Sequence, residues 1–246
     1  MVVDPAIRLS VVIPAYNEVR RLPGTLEQVT AYLARQEYGS EVLVVDDGCS
    51  DGTADLVQAF PAGPVSLRLV AHPDGRNHGK GATVRLGLAQ AVGAHRLFMD
   101  ADSSTTIEHV ERFWPHFAAG FDVVIGSRDV AGAEVVIHQP WYKELGGKLG
   151  NLFIRALAVP GVYDTQNGFK AVTARCAEAV LPRLTIDRWG FDVELLVAAR
   201  CCGFQIKEVP IVWRNDAAST VPASAYLQVL GEVLRVRRQR AAGRYS

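Results

Sequence analysis

Along the chain, short apolar runs alternate with stretches whose apolar residues recur every three or four positions. Leu9 to Ile13, Glu41 to Val45, Val65 to Ala71, Arg96 to Met99 and Asp122 to Ile125 read as strands. Between them, Leu22 to Arg35, Ala54 to Phe60, Lys80 to Val92 and Thr106 to Phe117 carry the helical period. This alternation predicts an α/β fold, a Rossmann-like and mostly parallel central sheet with helices on both faces. After about residue 130 the rhythm changes. Ala131 to Tyr142 is irregular, and Gly146 to Ala158 reads as a helix. Thr165 to Val172 reads as a strand, Asp192 to Cys202 as a helix, and Gln205 to Trp213 as a strand carrying Pro210. A last helix is predicted from about Ala223 to Arg240. The expectation is a single domain over residues 1–246, with a nucleotide-binding half up to about residue 130 and an acceptor-binding half after it.

Polar groups gather where the predicted strands end, the edge at which open parallel sheets bind ligands. The first strand runs into Pro14-Ala15-Tyr16-Asn17-Glu18. Asn17 alone could be a helix N-cap, but Tyr16 and Glu18 suit a base pocket. The second ends in Asp46-Asp47-Gly48-Cys49-Ser50-Asp51-Gly52. Capping accounts for one acid of this turn. Two adjacent carboxylates repel, and hydrogen bonds to a base or ribose would relieve that. The fourth ends in Asp100-Ala101-Asp102-Ser103-Ser104. Alternate residues of an extended segment point the same way, so Asp100 and Asp102 offer two carboxylates to a hard divalent cation, with Ser104 a candidate third ligand. The competing reading is a helix cap. Pro73 to Gly81 is a glycine-rich loop opening a helix at Lys80, where backbone N–H groups favour phosphate. Its spacing is not that of an NTPase P-loop.

Composition narrows the partners. With 246 residues, 49% hydrophobic, the chain can bury a full core, and a formal net charge of zero gives no global pull towards nucleic acid. Cys49, Cys176, Cys201 and Cys202 have no CxxC spacing, which suggests free thiols and a cytoplasmic location. The N-terminus does not read as a signal peptide, and no apolar run reaches the roughly 18–20 residues of a membrane span. The last helix carries an apolar stripe (Leu227, Val229, Leu230, Val233, Leu234, Val236), then Arg235, Arg237, Arg238, Arg240 and Arg244. It can dock on the inner face of an anionic membrane or pack on the domain, and both readings stay open.

Taken together, the segments VVIPAYNE (Val11 to Glu18), VVDDGCSDGT (Val44 to Thr53), NHGKG (Asn77 to Gly81), MDADSS (Met99 to Ser104), GSR (Gly126 to Arg128), DTQNGFK (Asp164 to Lys170) and RWGFDVELL (Arg188 to Leu196) resemble the family 2 inverting glycosyltransferases of GT-A fold. The likeness is strongest to the dolichyl-phosphate glucosyltransferase and dolichyl-phosphate mannose synthase branch. The resemblance implies that Pro14, Ala15, Tyr16 and Glu18 line the base and ribose pocket. Asp47 would contact the base, with Asp46 behind it, and Lys80 and Ala101 would lie by the nucleotide. Asp100 and Asp102 would hold Mg2+ or Mn2+ on the diphosphate. Gln166, Asn167, Lys170 and Arg214 would face the sugar or acceptor. Arg128 would stabilise developing charge, and Asp192 and Glu194 match a catalytic acidic position, Asp192 being the candidate general base.

The function implied is transfer of a hexose from a nucleotide sugar (UDP-glucose or GDP-mannose) to polyprenyl phosphate or to a soluble small-molecule acceptor. Relatives that use polyprenyl phosphate often carry a Gly-Ser-Lys-like segment after the last strand, whereas this chain reads Ala217 to Pro222 with Arg214 nearby. Two other readings remain: a nucleotide-sugar isomerase or mutase using the same metal and nucleotide site, and a non-catalytic nucleotide-binding module. A homo-oligomer is also compatible with the sequence.

Overall fold

The computed structural model describes residues 3–136, 154–155, 157–214 and 224–245. Its central sheet runs β3 (Ser66–Ala71), β2 (Gly39–Asp46), β1 (Ile7–Ala15), β4 (His95–Met99), β7 (Phe169–Thr173), β5 (Val123–Ser127) and β8 (Ile206–Pro210). The pairs β1–β2, β1–β4, β2–β3 and β5–β8 are parallel, while β7 lies antiparallel to both β4 and β5. A strand buried on both faces must be apolar throughout, and β1 is nearly so. Its period of two feeds two cores: Leu9, Val11 and Ile13 point into one, Val12 into the other. The same division sends Val42 and Val44 one way and Leu43 and Val45 the other.

Helices cover both faces, as the alternation predicts. On one side, α1 (Leu22–Leu33) buries Leu22, Leu26, Val29 and Leu33. On the other lie α3 (Lys80–Gln90), α6 (Phe191–Cys201) and α7 (Ser224–Ala241). Gly87 lets α3 lie flat on the sheet, since a Cβ there would be 2.4 Å from Val12 Cγ1. The short α2 (Thr53–Ala59) follows β2, and just ahead of it Asp51 Oδ1 accepts from Thr53 N at 3.0 Å.

Four elements differ from the sequence expectation. The helix predicted over Thr106 to Phe117 is a 3-10 segment, Ile107–Arg112, followed by α4 (Trp114–Ala118), because Pro115 has no N–H to continue an existing helix. The strand expected from Thr165 starts only at Phe169, and α5 (Ala174–Val180), capped by Thr173, follows it unforeseen. Gln205 to Trp213 breaks after Pro210. Its last part, β9 (Val212–Trp213), leaves the main sheet and pairs with β6 (Glu134–Val135) in a two-stranded ribbon. The predicted helix over Gly146 to Ala158 falls mainly outside the described residues, as does the Ala217 to Pro222 segment. The four cysteines are free thiols.

In α7, Val229, Val233 and Val236 are buried in the core shared with α6, so that side of the stripe packs on the domain. Leu234, 47% exposed, and Arg235, Arg237 and Arg238 face outward. No helix among the described residues is long and apolar enough to cross a membrane.

Candidate active site

Because β1, β2 and β4 are parallel, the turns after Ala15, Asp46 and Met99 meet at one edge. The antiparallel β7 brings its start, not its end, to that edge: Met99 pairs with Phe169. Residues 166–168 therefore stand beside Asp100, and a Cβ on Gly168 would lie 1.9 Å from Asp100 Oδ2. The N-terminus of α6 delivers Asp192 to the same place.

These elements set up a line of alternating charge. Lys80 Nζ donates to Asp100 Oδ1 at 2.6 Å, and Lys170 Nζ donates to Asp192 Oδ1 at 2.5 Å. Lys170 is 0% exposed, and its ammonium also reaches the Asn167 carbonyl. Burial works to lower the Lys80 pKa, but Asp100 and Asp192 outweigh it and hold the ammonium above its ordinary value. Asp192 is pushed up by its own burial, with Lys170 and Lys80 pulling it back. Asp102 Oδ1 accepts from Ser104 N at 2.9 Å. Thr25 fixes the acidic turn by donating to Ala101 O at 2.7 Å.

The base-side residues are arranged differently from the expectation. Tyr16 is 52% exposed, with its ring free to stack. Asn17, at φ 57°, is no helix cap; its Oδ1 accepts from Ser50 N at 2.9 Å and stitches the first two turns together. Glu18 is paired in two contacts with Arg21, at 2.6 and 2.7 Å. Pro14 is half-buried, and the buried Ala15 carbonyl accepts from Asp47 N at 2.9 Å.

The expected order of Asp46 and Asp47 is reversed. Asp47 is the buried one, and its carboxylate accepts from Asn77 Nδ2 at 2.9 Å, His78 N at 2.7 Å and Gly79 N at 3.0 Å. It anchors the glycine-rich loop, with both oxygens accepting hydrogen bonds from it. Asp46 is the more exposed, with Oδ1 accepting from Cys49 N at 2.8 Å.

Glu194 is also corrected. It is fully buried, away from the edge, and accepts from Thr185 N at 2.8 Å, Ile186 N at 2.7 Å, Thr185 Oγ1 at 2.9 Å and the Tyr245 hydroxyl at 2.8 Å. Residues two apart on a helix face different ways, so Glu194 cannot join Asp192. Its place is structural: it ties the C-terminal Tyr245 to the turn whose Asp187 carbonyl accepts from Ala82 N at the start of α3. Asn167 and Lys170 are likewise too buried to face a sugar. Asn167 Oδ1 accepts from Phe169 N at 2.8 Å, shaping the entry to β7.

Three candidates do lie at the rim. Arg128 grips the buried Asp164 through Nε at 2.7 Å and Nη2 at 2.9 Å, and lies over the Trp213 ring. Burial would raise the Asp164 pKa, but Arg128 overrides it and holds the carboxyl below its ordinary range. Gln166 is half-buried beside Gly168, and Arg214 is exposed while its N–H donates to Ser104 O at 2.9 Å. Sequence reasoning missed roles for Gly168, Asp164, Asn77 and Tyr245. The first three sit inside quoted motifs and were legible as motif members, whereas Tyr245 carries no local signal.

Asp100 Oδ2 and Asp102 Oδ2 have no hydrogen-bond partner among the described residues, which leaves an oxygen from each for a hard ion. Among the described residues no group of three or more His, Cys, Asp or Glu side chains could enclose a metal.

Comparison with known proteins agrees with this geometry. The family model Glycosyl transferase family 2 matches residues 10–172. A dolichyl-phosphate beta-glucosyltransferase of Dictyostelium discoideum is 32% identical over 242 residues, covering 94% of this chain and 74% of that protein. The Homo sapiens protein of the same name is 31% identical over 251 residues, covering 95% and 76%. Among solved structures, mannosyl-3-phosphoglycerate synthase from Rubrobacter xylanophilus superposes with TM-score 0.73 at 18% identity, over 97% of this chain and 75% of that one. Glucosyl-3-phosphoglycerate synthase from Mycobacterium tuberculosis, in complex with Mn2+, UDP-glucose and phosphoglyceric acid, gives 0.68 at 20% identity, over 94% and 80%. The two structures establish the GT-A fold, and the curated relatives and family model carry the assignment further: the chain belongs to glycosyl transferase family 2 and is a glycosyltransferase.

Proposed function

We propose that the chain transfers glucose from UDP-glucose to the phosphate of a polyprenyl phosphate, with inversion at the anomeric carbon. The names of the curated relatives support a glucosyl group and a polyprenyl phosphate acceptor, the UDP-glucose in the Mycobacterium tuberculosis complex supports the donor, and one observation favours a phosphate acceptor over a hydroxyl. Asp192, the candidate general base of the sequence reading, is held by Lys170 at 2.5 Å. A hydroxyl acceptor needs a free base, while an ionised phosphate needs none. In this reaction a phosphate oxygen attacks the anomeric carbon, the bond from that carbon to the UDP oxygen breaks, and UDP departs with the electron pair.

The chain's own residues bind, orient and balance charge. Tyr16 stacks on the base, and Asp46 reaches it or the ribose. Lys80 meets the diphosphate, and Arg128, held by Asp164, faces charge on the leaving group or the acceptor. Asp192 keeps Lys170 and Lys80 in place. Asp100 and Asp102 would hold Mg2+ or Mn2+, with Ser104 in reserve, and the ion would supply Lewis-acid charge to the leaving diphosphate. The outward face of α7, with Leu234 between Arg237 and Arg238, would meet the anionic membrane surface in which such an acceptor resides.

Purified protein incubated with UDP-glucose, Mn2+ and a short polyprenyl phosphate should release UDP and form a glucosylated lipid. GDP-mannose should be the poorer donor. Donor and metal without acceptor should give no rearranged nucleotide sugar, and the appearance of one would support the isomerase or mutase reading instead. UDP release driven by small alcohols, but not by the lipid phosphate, would overturn the acceptor assignment.

A further inference from the structure

Asp100 is confined on two sides. Lys80 Nζ sits 2.6 Å from its Oδ1, and the backbone of Gly168 is pressed against its Oδ2, leaving no space for even a methyl group. The carboxylate cannot move towards Gly168, so a cation that approaches Oδ1 meets an ammonium already in position. Two like charges on one carboxylate repel strongly, and both groups remain within reach of solvent, with side-chain exposures of 24% for Lys80 and 35% for Asp100. The ammonium is on a flexible stem at the first residue of α3, next to the glycine-rich loop anchored by Asp47. A diphosphate at the loop would offer it a stronger anion than Asp100.

We propose that Lys80 is a resident stand-in for the divalent cation: it occupies Asp100 in the free enzyme and moves to the diphosphate when the donor binds, opening Asp100 to the metal. The inference rests on the assignment of Asp100 and Asp102 as cation ligands. It makes metal and nucleotide binding mutually dependent through one side chain, in addition to any direct contact between metal and phosphate. Free enzyme then holds the ion weakly, and donor and metal enter together.

The test is Mn2+ binding to the full chain, followed by the electron paramagnetic resonance signal of free Mn2+, with and without UDP. Wild type, Lys80→Met, Lys80→Gln and Asp100→Asn are compared, with circular dichroism melts to show that each is folded. Without UDP, both Lys80 variants should bind Mn2+ about tenfold more tightly than wild type, equivalent to ~1.4 kcal/mol. The tightening of Mn2+ produced by UDP should be correspondingly smaller in them. A Lys80 that only binds phosphate would leave nucleotide-free Mn2+ affinity unchanged, and that result in both variants overturns the stand-in role. Asp100→Asn binding Mn2+ as well as wild type, with UDP present, would overturn the ligand assignment itself, and the two failures are distinguishable.

Discussion

Replacing Gly168 by alanine would place a methyl carbon 1.9 Å from Asp100 Oδ2 and 2.4 Å from its Cγ. Non-bonded carbon and oxygen atoms need roughly 3.4 Å or more, so the carboxylate has to retreat by about 1.5 Å. Gly168 does not have a positive φ, so its backbone accepts alanine without strain. What moves is the tip of a half-exposed side chain, and the fold should hardly register it: surface changes of this kind cost about 0.5 kcal/mol, or one to two degrees of Tm in a chain of this size. The chemistry should register it strongly. Displacement of a reacting group or its ligand by about 1 Å can cost on the order of a hundredfold in rate. Gly168→Ala should therefore melt within about two degrees of wild type while UDP release slows about a hundredfold. Scanning calorimetry and initial-rate measurements on the same preparation separate the two effects. Rates within twofold of wild type would refute the claim that Asp100 is held in its working position by the bare backbone behind it. A large loss of Tm would show that the site is part of the packed core instead.

Other expectations follow from the buried polar contacts. Glu194→Ala leaves the Thr185 and Ile186 N–H groups without an acceptor in a fully buried place, so urea unfolding should show a loss of roughly 3–5 kcal/mol, and Tyr245→Phe, whose hydroxyl also has Gln239, a smaller one; an unchanged midpoint for Glu194→Ala would refute the structural role. Asp192→Asn strands the ammonium of Lys170 and should cost roughly 3–5 kcal/mol as well as activity, while removing both charges together should recover much of the stability. His109 accepts from Val212 N at 3.0 Å and donates to the Thr106 carbonyl at 3.1 Å, and burial holds its pKa below the ordinary value despite that carbonyl. Above about pH 6.5 both folded and unfolded forms are neutral; as pH falls below that, the unfolded form takes up the proton first, so stability is lost. Urea unfolding at pH 7.5 and 5.5 should show this loss, and His109→Gln should lose less over the same interval.

How much of this was legible in the sequence depended on whether the signal was local. The strands of the parallel core announce themselves because burial on both faces demands continuous apolar runs, as in Leu9 to Ile13 and Glu41 to Val45. The acidic turns follow directly from where those runs stop. Orientation within each turn was less accessible. Asp46 and Asp47 look equivalent on paper, and which of them turns inward depends on a loop 30 residues away that supplies Asn77, His78 and Gly79. The pairing of Asp192 with Glu194 as one catalytic position was avoidable, because helix geometry sends residues two apart to different faces. Lys170 was placed facing the sugar or acceptor by the resemblance alone, and nothing local in the sequence says that its side chain is buried against Asp192. Tyr245 has no neighbour in sequence that hints at its partners, since the contact that buries it belongs to α6, about fifty residues earlier.

One antiparallel strand explains why the charges meet at all. Had β7 run parallel to β4, its first residues would lie at the far edge of the sheet, and neither Gly168 nor Gln166 would reach Asp100. Reversed, it sets the start of β7 against the end of β4, so that a bare backbone backs one carboxylate, while Lys170, one residue inside the strand, reaches under the edge to Asp192. Lys80 comes from the opposite side, carried by a helix that Gly87 allows close to the sheet. The resulting order, Lys170, Asp192, Lys80, Asp100, alternates in sign, so removing any member leaves a neighbour without its counter-charge, most costly at the buried Lys170–Asp192 end. Such a line is poorly suited to a free general base and well suited to receiving two phosphate groups, one leaving and one attacking. A hydroxyl acceptor at this edge would need Asp192 released from Lys170. If Lys170→Met turned a lipid-phosphate enzyme into one that glucosylates alcohols, the ion pair would be identified as the element that selects the acceptor; if it merely abolished both activities, the pair's contribution would be to the geometry of the site.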